Sequence, residues 1–334
     1  MTISTLDITS HKYANPAEQK KFNEDLVASL SRYGFVKFVN HGISKELVKE
    51  LFHWTRAIFE IPVEEKLKIM NLPGPRPQRG WSCVGSERTG RLYLSKLGKT
   101  DLENTLLDVR EHFDQGSSED KAWPNQWPEE STLPGFRAFM EAYYDKCQKV
   151  SIEILKLFES ALDLSPGTFT SKISGQASET RLLHYPEVSI QDLKAGLSTR
   201  VSPHTDLGVI TCLFQDDIGG LEVQDQESGL FIPIENSGRN EMVVNVSETF
   251  QRWTNDRIKA GVHRVTYPHH FENIEEGIVP PRYSNTCFVK ADRHTLVGAL
   301  DAFQSEKHPS LYENVTALEY HQQRVATAYG KNST

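Results

Sequence analysis

Cysteine is scarce in this chain: Cys83, Cys147, Cys212 and Cys287 are the only four among 334 residues, widely separated and with no CxxC pair. That spacing excludes a zinc ribbon and a disulfide scaffold, and free thiols are expected. Long apolar runs are missing as well. Glu241-Met-Val-Val-Asn-Val246, among the longest, falls far short of the ~20 residues a membrane helix needs. The opening Met1-Thr-Ile-Ser-Thr-Leu-Asp7 lacks the basic and apolar regions of a secretory signal, so a cytoplasmic protein is expected. Nor is there a basic excess. The 37 Lys and Arg against 45 Asp and Glu leave a net charge of −8, which argues against nucleic acid or an anionic membrane as partner and favours a small molecule. Nothing in these quantities specifies an oligomeric state. With 38% hydrophobic and 25% charged residues, the composition is that of an ordinary globular enzyme.

No repeat, charge block or Gly/Ser linker divides the chain, and a single domain over 1–334 is expected. Its texture still changes near residue 180: residues 1–180 read as a mainly helical and loop N-terminal part, and 181–300 as the β-rich core. Phe22, Leu26, Leu30 and Tyr33 recur at helical spacing and stop at Gly34, after which Phe35–Val39 reads as a strand. Ser44 is placed to cap a second helix that runs to Ile61-Pro62. Residues 71–132, rich in Pro, Gly and Trp, read as irregular backbone, and loops of that length are usually functional. A long helix is expected from Leu133 to Leu164, its apolar stripe facing the core. Over 181–300 short β-rich runs follow one another: Arg181–Tyr185, Val209–Gln215, Leu221–Gln224, Phe231–Ile234, Met242–Val246, His263–Tyr267 and Tyr283–Lys290. Seven such runs broken by turn residues point to a sandwich or barrel, of which the jelly roll commonly carries its site inside. Residues 301–334 form a C-terminal segment.

His204-Thr205-Asp206 precedes the Val209–Gln215 run, and His263 begins another. If the first pair lies on a strand, residues two apart point to one side, so an imidazole and a carboxylate converge there. A third ligand from His263 on a neighbouring strand would complete a two-histidine, one-carboxylate facial triad, which leaves open positions and suits non-haem Fe(II). A His-x-Asp alone occurs by chance on many strands. Arg282 and Ser284 likewise alternate onto one face, where a guanidinium fork and a hydroxyl can clamp a carboxylate. The other histidines, among them His41, His53, His112 and His184, read as structural or exposed.

Taken together, His204-x-Asp206, Asn245 to Asn255, Gly261-Val-His-Arg264, Arg282-x-Ser284, Tyr33-Gly-Phe35 and Asn40-His-Gly-Ile43 resemble the Fe(II)/2-oxoglutarate dioxygenase superfamily, in its isopenicillin N synthase-like branch. The resemblance spans nearly the whole chain. It implies a mainly β fold with flanking helices, a distorted double-stranded β-helix (jelly roll) wrapped by N-terminal helices. It also implies iron on His204, Asp206 and His263, 2-oxoglutarate held by Arg282 and Ser284 with Tyr185 as a further contact, and no catalytic residue beyond the metal ligands. The implied activity is oxidation of a small organic metabolite of secondary metabolism, hydroxylation by default, with O2 as oxidant and 2-oxoglutarate decarboxylated to succinate. Two rivals remain: an oxidase of the isopenicillin N synthase kind that uses O2 without 2-oxoglutarate, and a non-catalytic ligand-binding jelly roll.

The chain departs from the family pattern in two places. Leu183 stands where plant-type members carry Asn, and the usual Asn-Ile-Gly-Asp turn reads Asn245-Val-Ser-Glu248, a change expected to touch no ligand. Tryptophan- and proline-rich loops suggest an apolar or aromatic substrate, with amino acids and nucleobases left open. Arg181, two residues from Leu183 and four from Tyr185, is expected either to reach solvent past the barrel rim or to point inward and anchor an anionic substrate.

Overall fold

The computed structural model describes residues 3–72, 74, 76–99 and 105–329. Its strands are β1 (Thr5–Asp7), β2 (Phe35–Val39), β3 (Gly80–Ser82), β4 (Glu111–Gly116), β5 (Glu179–Tyr185), β6 (Val188–Ser189), β7 (Val201–His204), β8 (Ile210–Gln215), β9 (Leu221–Gln224), β10 (Phe231–Pro233), β11 (Met242–Val246), β12 (His263–Val265), β13 (Ile278–Val279) and β14 (Arg282–Val289). The helices are α1 (Ile8–Tyr13), α2 (Pro16–Tyr33), α3 (Lys45–Glu60), α4 (Val63–Lys68), α5 (Thr89–Lys96), α6 (Phe136–Ala161), α7 (Ile190–Lys194), α8 (Glu248–Trp253) and α9 (Ala317–Tyr329).

An eight-stranded sheet runs β1-β2-β11-β8-β14-β5-β4-β3, antiparallel except for β1 beside β2, and a four-stranded sheet runs β10-β9-β12-β7. Leu183 and Tyr185 of β5 and Val243 of β11 pack with Val201, Leu221, Val223 and Val265 of the smaller sheet. The neighbouring residues on the other face, Leu182, Cys212, Val244 and Cys287, join the cluster built on Met140, Cys147, Ile154 and Phe158 of α6. Alternation of buried residues on both sides of a strand means both faces of the large sheet are covered. This is the expected β-rich roll with helices around it, and α2, α3 and α6 lie within a few residues of their expected bounds.

Two expectations need correction. Residues 71–132 are not wholly irregular, since they supply β3, α5 and β4, and the N-terminal part contributes four of the eight strands in the large sheet. Tertiary pairing overrides the local breaker signal there: β4 is held along its full length by β5.

One close approach ties the N-terminal half to the site. Gly34 ends α2 at φ 67° and donates its N–H to the Leu30 carbonyl at 2.8 Å, while its own carbonyl accepts from Val246 N at 2.9 Å. A Cβ on Gly34 would stand 2.5 Å from Gly261 N, and one on Gly261 would stand 2.4 Å from the Phe35 ring. Only glycine permits both the left-handed backbone and this contact. The junction holds Gly261, whose carbonyl receives His263 Nδ1 at 3.1 Å, against the end of β2. A Gly34→Ala variant should lose at least about 2 kcal/mol, the left-handed penalty plus the displaced backbone. Urea unfolding checks this, and a parallel Mn(II) titration should show weaker metal binding if the junction positions His263.

Candidate active site

His204 is the last residue of β7 and His263 the first of β12, and the two are direct cross-strand partners. Their ring centroids lie 4.2 Å apart. Asp206 is in the turn after β7, not on the strand as expected, so the shared face is made by the turn rather than by strand alternation. That turn is fixed through Asp206 itself. Its Oδ2 accepts from Thr211 Oγ1 at 2.6 Å and from Asn245 Nδ2 at 2.9 Å, and its carbonyl accepts from Glu248 N at 2.8 Å. With Oδ2 occupied, Oδ1 faces the imidazoles, 3.7 Å from His204 Nε2 and 3.9 Å from His263 Nε2.

Each histidine donates Nδ1–H to the carbonyl two residues before it, His204 to Ser202 at 3.0 Å and His263 to Gly261 at 3.1 Å. The tautomer is thereby set, and the lone pair on Nε2 is free for a metal. Burial, reinforced by the facing His263, pushes the His204 imidazole well below its usual range, so it stays neutral. Burial opposes ionisation of Asp206, but His263, His204 and the two donors on Oδ2 hold it below the ordinary carboxylate value. One atom from each of the three residues lies within 4.8 Å of the others, and this is the only such cluster of His, Cys, Asp or Glu among the described residues.

At the other end of the same cavity, Arg282 is fully buried at the start of β14. Its Nη1 donates to Ser284 Oγ at 3.2 Å, its Nη2 to Gln215 Oε1 at 3.0 Å, and its Nε has no hydrogen-bond partner. The guanidinium lies 4.9 Å over the Tyr185 ring, and Tyr185 is the cross-strand partner of Arg282. The contacts of Arg282 are to neutral groups, so an anion is what the arrangement still calls for. Leu183, opposite Ser284, lines the cavity with an apolar surface where the family pattern has an amide.

A second cavity, about 700 Å³ counting its open mouth, adjoins His204 and Asp206. Arg110, Arg181, Lys290, Glu87 and Glu179 bring charge of both signs to its wall, and Leu92, Leu207, Phe288 and Val325 bring apolar surface. Arg110 borders both cavities. Glu87 Oε2 is shared between Arg110 Nη2 at 2.5 Å and Arg181 Nη1 at 3.3 Å, and Arg181 Nε donates to Asp114 at 2.7 Å. Glu179 accepts from Arg79 at 2.8 Å and from Lys290. Burial opposes its charge, but Lys290 and Arg79 bring Glu179 down to about 2. Asp114 and Asp108 go the other way, pushed up by burial to about 6 in spite of Arg181 and Arg110 respectively.

Helices α5 and α9 close this cavity through Leu92 and Val325. Arg324 links them, donating to the Leu92 carbonyl at 3.1 Å and to Glu248 at 3.0 Å. Glu248 also accepts from Thr205 Oγ1 at 2.6 Å, between His204 and Asp206. The change in the Asn245–Glu248 turn thus puts no side chain on a predicted ligand: Glu248 meets Asp206 through its backbone N–H and holds Thr205 with its carboxylate, while the unchanged Asn245 bonds Asp206 directly.

A family model described as the N-terminal part of non-haem dioxygenases in morphine synthesis matches residues 3–130, and one for the 2OG-Fe(II) oxygenase superfamily matches residues 177–291. Over 327 residues the chain is 46% identical to the 2-oxoglutarate-dependent dioxygenase phqC of Penicillium fellutanum, across 94% of this chain and 92% of that one. The chain belongs to the 2OG-Fe(II) oxygenase superfamily. The oxygenase is also 40% identical over 331 residues to proline hydroxylase buaE of Petromyces alliaceus, covering 98% of this chain and all of that one. Its fold matches a full-length Neurospora crassa protein solved in complex with alpha-KG at a TM-score of 0.84 and 28% identity, over 97% of this chain and 96% of that one. It is a 2-oxoglutarate-dependent dioxygenase with Fe(II) and 2-oxoglutarate as cofactors, acting on a small molecule, so neither the cosubstrate-free oxidase nor the non-catalytic jelly roll stands. The residues fit both groups: two imidazoles with Nε2 free beside a carboxylate for the metal, and a buried guanidinium hydrogen-bonded only to neutral groups for the cosubstrate.

Every residue expected at the oxygenase's site borders one of the two cavities. Arg181 does not reach solvent, being 5% exposed and paired to Asp114 and Glu87. The tryptophans expected to favour an aromatic substrate line neither cavity; Trp81 donates to Glu111 and Trp127 packs on Phe113 and Phe136. Arg110 and Glu87 went unnoticed in the sequence. The signal was there: Asp108, Arg110, His112 and Asp114 stand two apart, a strand with one wholly ionisable face.

Thr211→Val removes one of two donors to the far oxygen of Asp206 and should weaken Mn(II) or Fe(II) binding ~10-fold or more, as expected when a partner of a metal ligand is lost. Asp206→Ala should abolish stoichiometric metal; calorimetric titration checks both. Glu179 makes a pH prediction. Held at about 2 in the folded chain against 4.5 unfolded, it contributes stability that is complete above pH 4.5 and lost as pH falls toward 2. Asp108 and Asp114, raised from 3.8 to about 6, act oppositely, lowering stability as pH rises through that window. Glu179→Gln should therefore flatten the acid limb of urea midpoint against pH below 4.5.

Proposed function

We propose that this dioxygenase hydroxylates a free amino acid with an aliphatic side chain. His204, Asp206 and His263 would hold the iron, and Arg282 and Ser284 beside Tyr185 would hold the distal carboxylate of 2-oxoglutarate. Bound together with O2, the metal and cosubstrate supply the oxidising chemistry, and 2-oxoglutarate leaves as succinate and CO2. The chain's own part is positioning. Asp206 is held to one donor oxygen by Thr211 and Asn245, and the histidines are oriented by carbonyls on Nδ1.

The observation that carries the substrate class is the wall of the second cavity, where guanidinium and carboxylate groups stand beside the metal ligands together with Leu92, Leu207, Phe288 and Val325. A zwitterion with an apolar side chain matches all three kinds of surface, whereas a neutral aromatic metabolite would leave the charges facing it unsolvated. Arg110, whose Nε has no hydrogen-bond partner, and Arg181 face the substrate carboxylate, and Glu87 faces its ammonium group. The proline hydroxylase among the relatives supports the same class. A cytoplasmic location agrees with four unpaired cysteines, of which Cys83 is exposed; no helix among the described residues is long and apolar enough to cross a membrane.

The test is substrate-dependent succinate release from the iron-loaded enzyme with proline, leucine and isoleucine, each compared with its methyl ester. Free acids should drive turnover, and the esters should lose ~100-fold or more in kcat/KM, the scale of an uncompensated buried charge contact. Arg110→Met should raise KM for the amino acid while 2-oxoglutarate affinity stays within about twofold. Turnover with neutral apolar metabolites and none with any amino acid would contradict the assignment.

A further inference from the structure

Six arginines are buried among the described residues: Arg79, Arg110, Arg181, Arg200, Arg252 and Arg282. The first three are salt-bridged to carboxylates. Arg252 donates to the Val297 and Glu313 carbonyls at 2.7 Å each and is covered by the Tyr312 and Tyr320 rings. Arg200 has none of these arrangements. It is fully buried, its Nη2 reaches only the carbonyls of Pro186 and Pro280, and its Nε and Nη1 have no hydrogen-bond partner.

Those two carbonyls locate it. Pro186 follows Tyr185 and Pro280 lies two residues before Arg282, so the Arg200 head sits at the paired ends of β5 and β14, where Tyr185 faces Arg282. The next residue, Val201, lines the cavity that holds Arg282, Ser284 and the metal ligands. Two buried guanidiniums thus stand close together behind that end of the cavity, and burial and Arg282 together lower Arg200 to about 10. Asp216 acts on both charges and hydrogen-bonds neither, its oxygens accepting from Tyr283 N at 2.6 Å and Ile218 N at 3.1 Å, so two guanidiniums share one carboxylate. A buried like-charge pair persists when an anion completes it.

We propose that Arg200 is a second cationic anchor for the distal carboxylate of 2-oxoglutarate, acting from the Tyr185 side while Arg282 and Ser284 act from β14. The proposal rests on the reading that Arg282 and Ser284 hold that carboxylate. It also accounts for a cosubstrate site that works with Leu183 in place of an amide, since a charge takes over from the lost polar contact.

The experiment is titration of Mn(II)-loaded protein with 2-oxoglutarate and, separately, with 2-oxobutyrate, which has the same metal-chelating end but no distal carboxylate. Arg200→Met should weaken 2-oxoglutarate ~10–100-fold and leave 2-oxobutyrate within about twofold, with Arg200→Lys in between. Unchanged 2-oxoglutarate affinity, or an equal loss for both acids, overturns the proposal and returns Arg200 to a purely structural role on the two carbonyls. If Arg200→Met does not fold, Arg200→Lys decides: a selective loss of ~5-fold or more for 2-oxoglutarate supports the anchor, and equal affinity overturns it. Arg282→Met is run in parallel. If it keeps wild-type affinity for 2-oxoglutarate, the underlying clamp reading fails; if it loses affinity while Arg200→Met does not, only the second anchor fails.

Discussion

A guanidinium taken out of water must be given acceptors or an anion, and how Arg79, Arg110, Arg181, Arg200 and Arg282 are each provided for shapes the site of this dioxygenase. Where a protein carboxylate neutralises the arginine, as with Arg79, Arg110 and Arg181, the result is a wall that is charged in detail and nearly balanced in sum. At Arg282 and Arg200 no carboxylate hydrogen-bonds the guanidinium and Asp216 alone acts on the two charges, so this end of the cavity keeps a net positive field. These two kinds of surface lie on either side of His204, Asp206 and His263. The balanced side suits a ligand carrying both signs and the unbalanced side a ligand with a lone carboxylate, which is the basis on which we propose that substrate and cosubstrate take opposite sides.

The metal set depends on the same economy of polar groups. Asp206 can offer one oxygen toward the imidazoles because Thr211 and Asn245 occupy the other, and both donors come from the large sheet. The imidazoles come from the small sheet. Each sheet is therefore needed to complete the site, and the Gly34–Gly261 junction, which carries the carbonyl on His263, ties α2 and β2 into it as well. Glu248 extends the linkage outward, from Thr205 between two of the ligands to Arg324 on α9 and so to α5.

Much of this was legible in the sequence because the decisive residues keep simple spacing. His-x-Asp, the later His and Arg-x-Ser stand at strand ends whose register the alternating apolar pattern already fixes. What sequence reasoning missed is what long-range pairing creates. Residues 71–132 carry Pro, Gly and Trp signals that read as loop, yet β4 forms there because β5 offers it a full ladder, which sets Arg110, just before it, in the wall of the second cavity and Asp114 against Arg181. Arg181 shows the same limit. Spacing from Tyr185 left solvent and the interior both open to it, and its partners Asp114 and Glu87 lie 67 and 94 residues away in sequence. Arg200, with no motif around it, could not have been singled out without the two carbonyls it touches.

The central claim is that the two ends of the site are distinguished by whether their arginines are already paired. A crystal structure of the Mn(II) enzyme with 2-oxoglutarate and the amino acid that releases most succinate, grown without O2, tests it most directly. The account predicts the distal carboxylate of 2-oxoglutarate against Arg282 and Ser284 with Arg200 behind, and the amino acid among Arg110, Arg181 and Glu87. An amino-acid carboxylate seated on Arg282, or 2-oxoglutarate among the paired arginines, would contradict it.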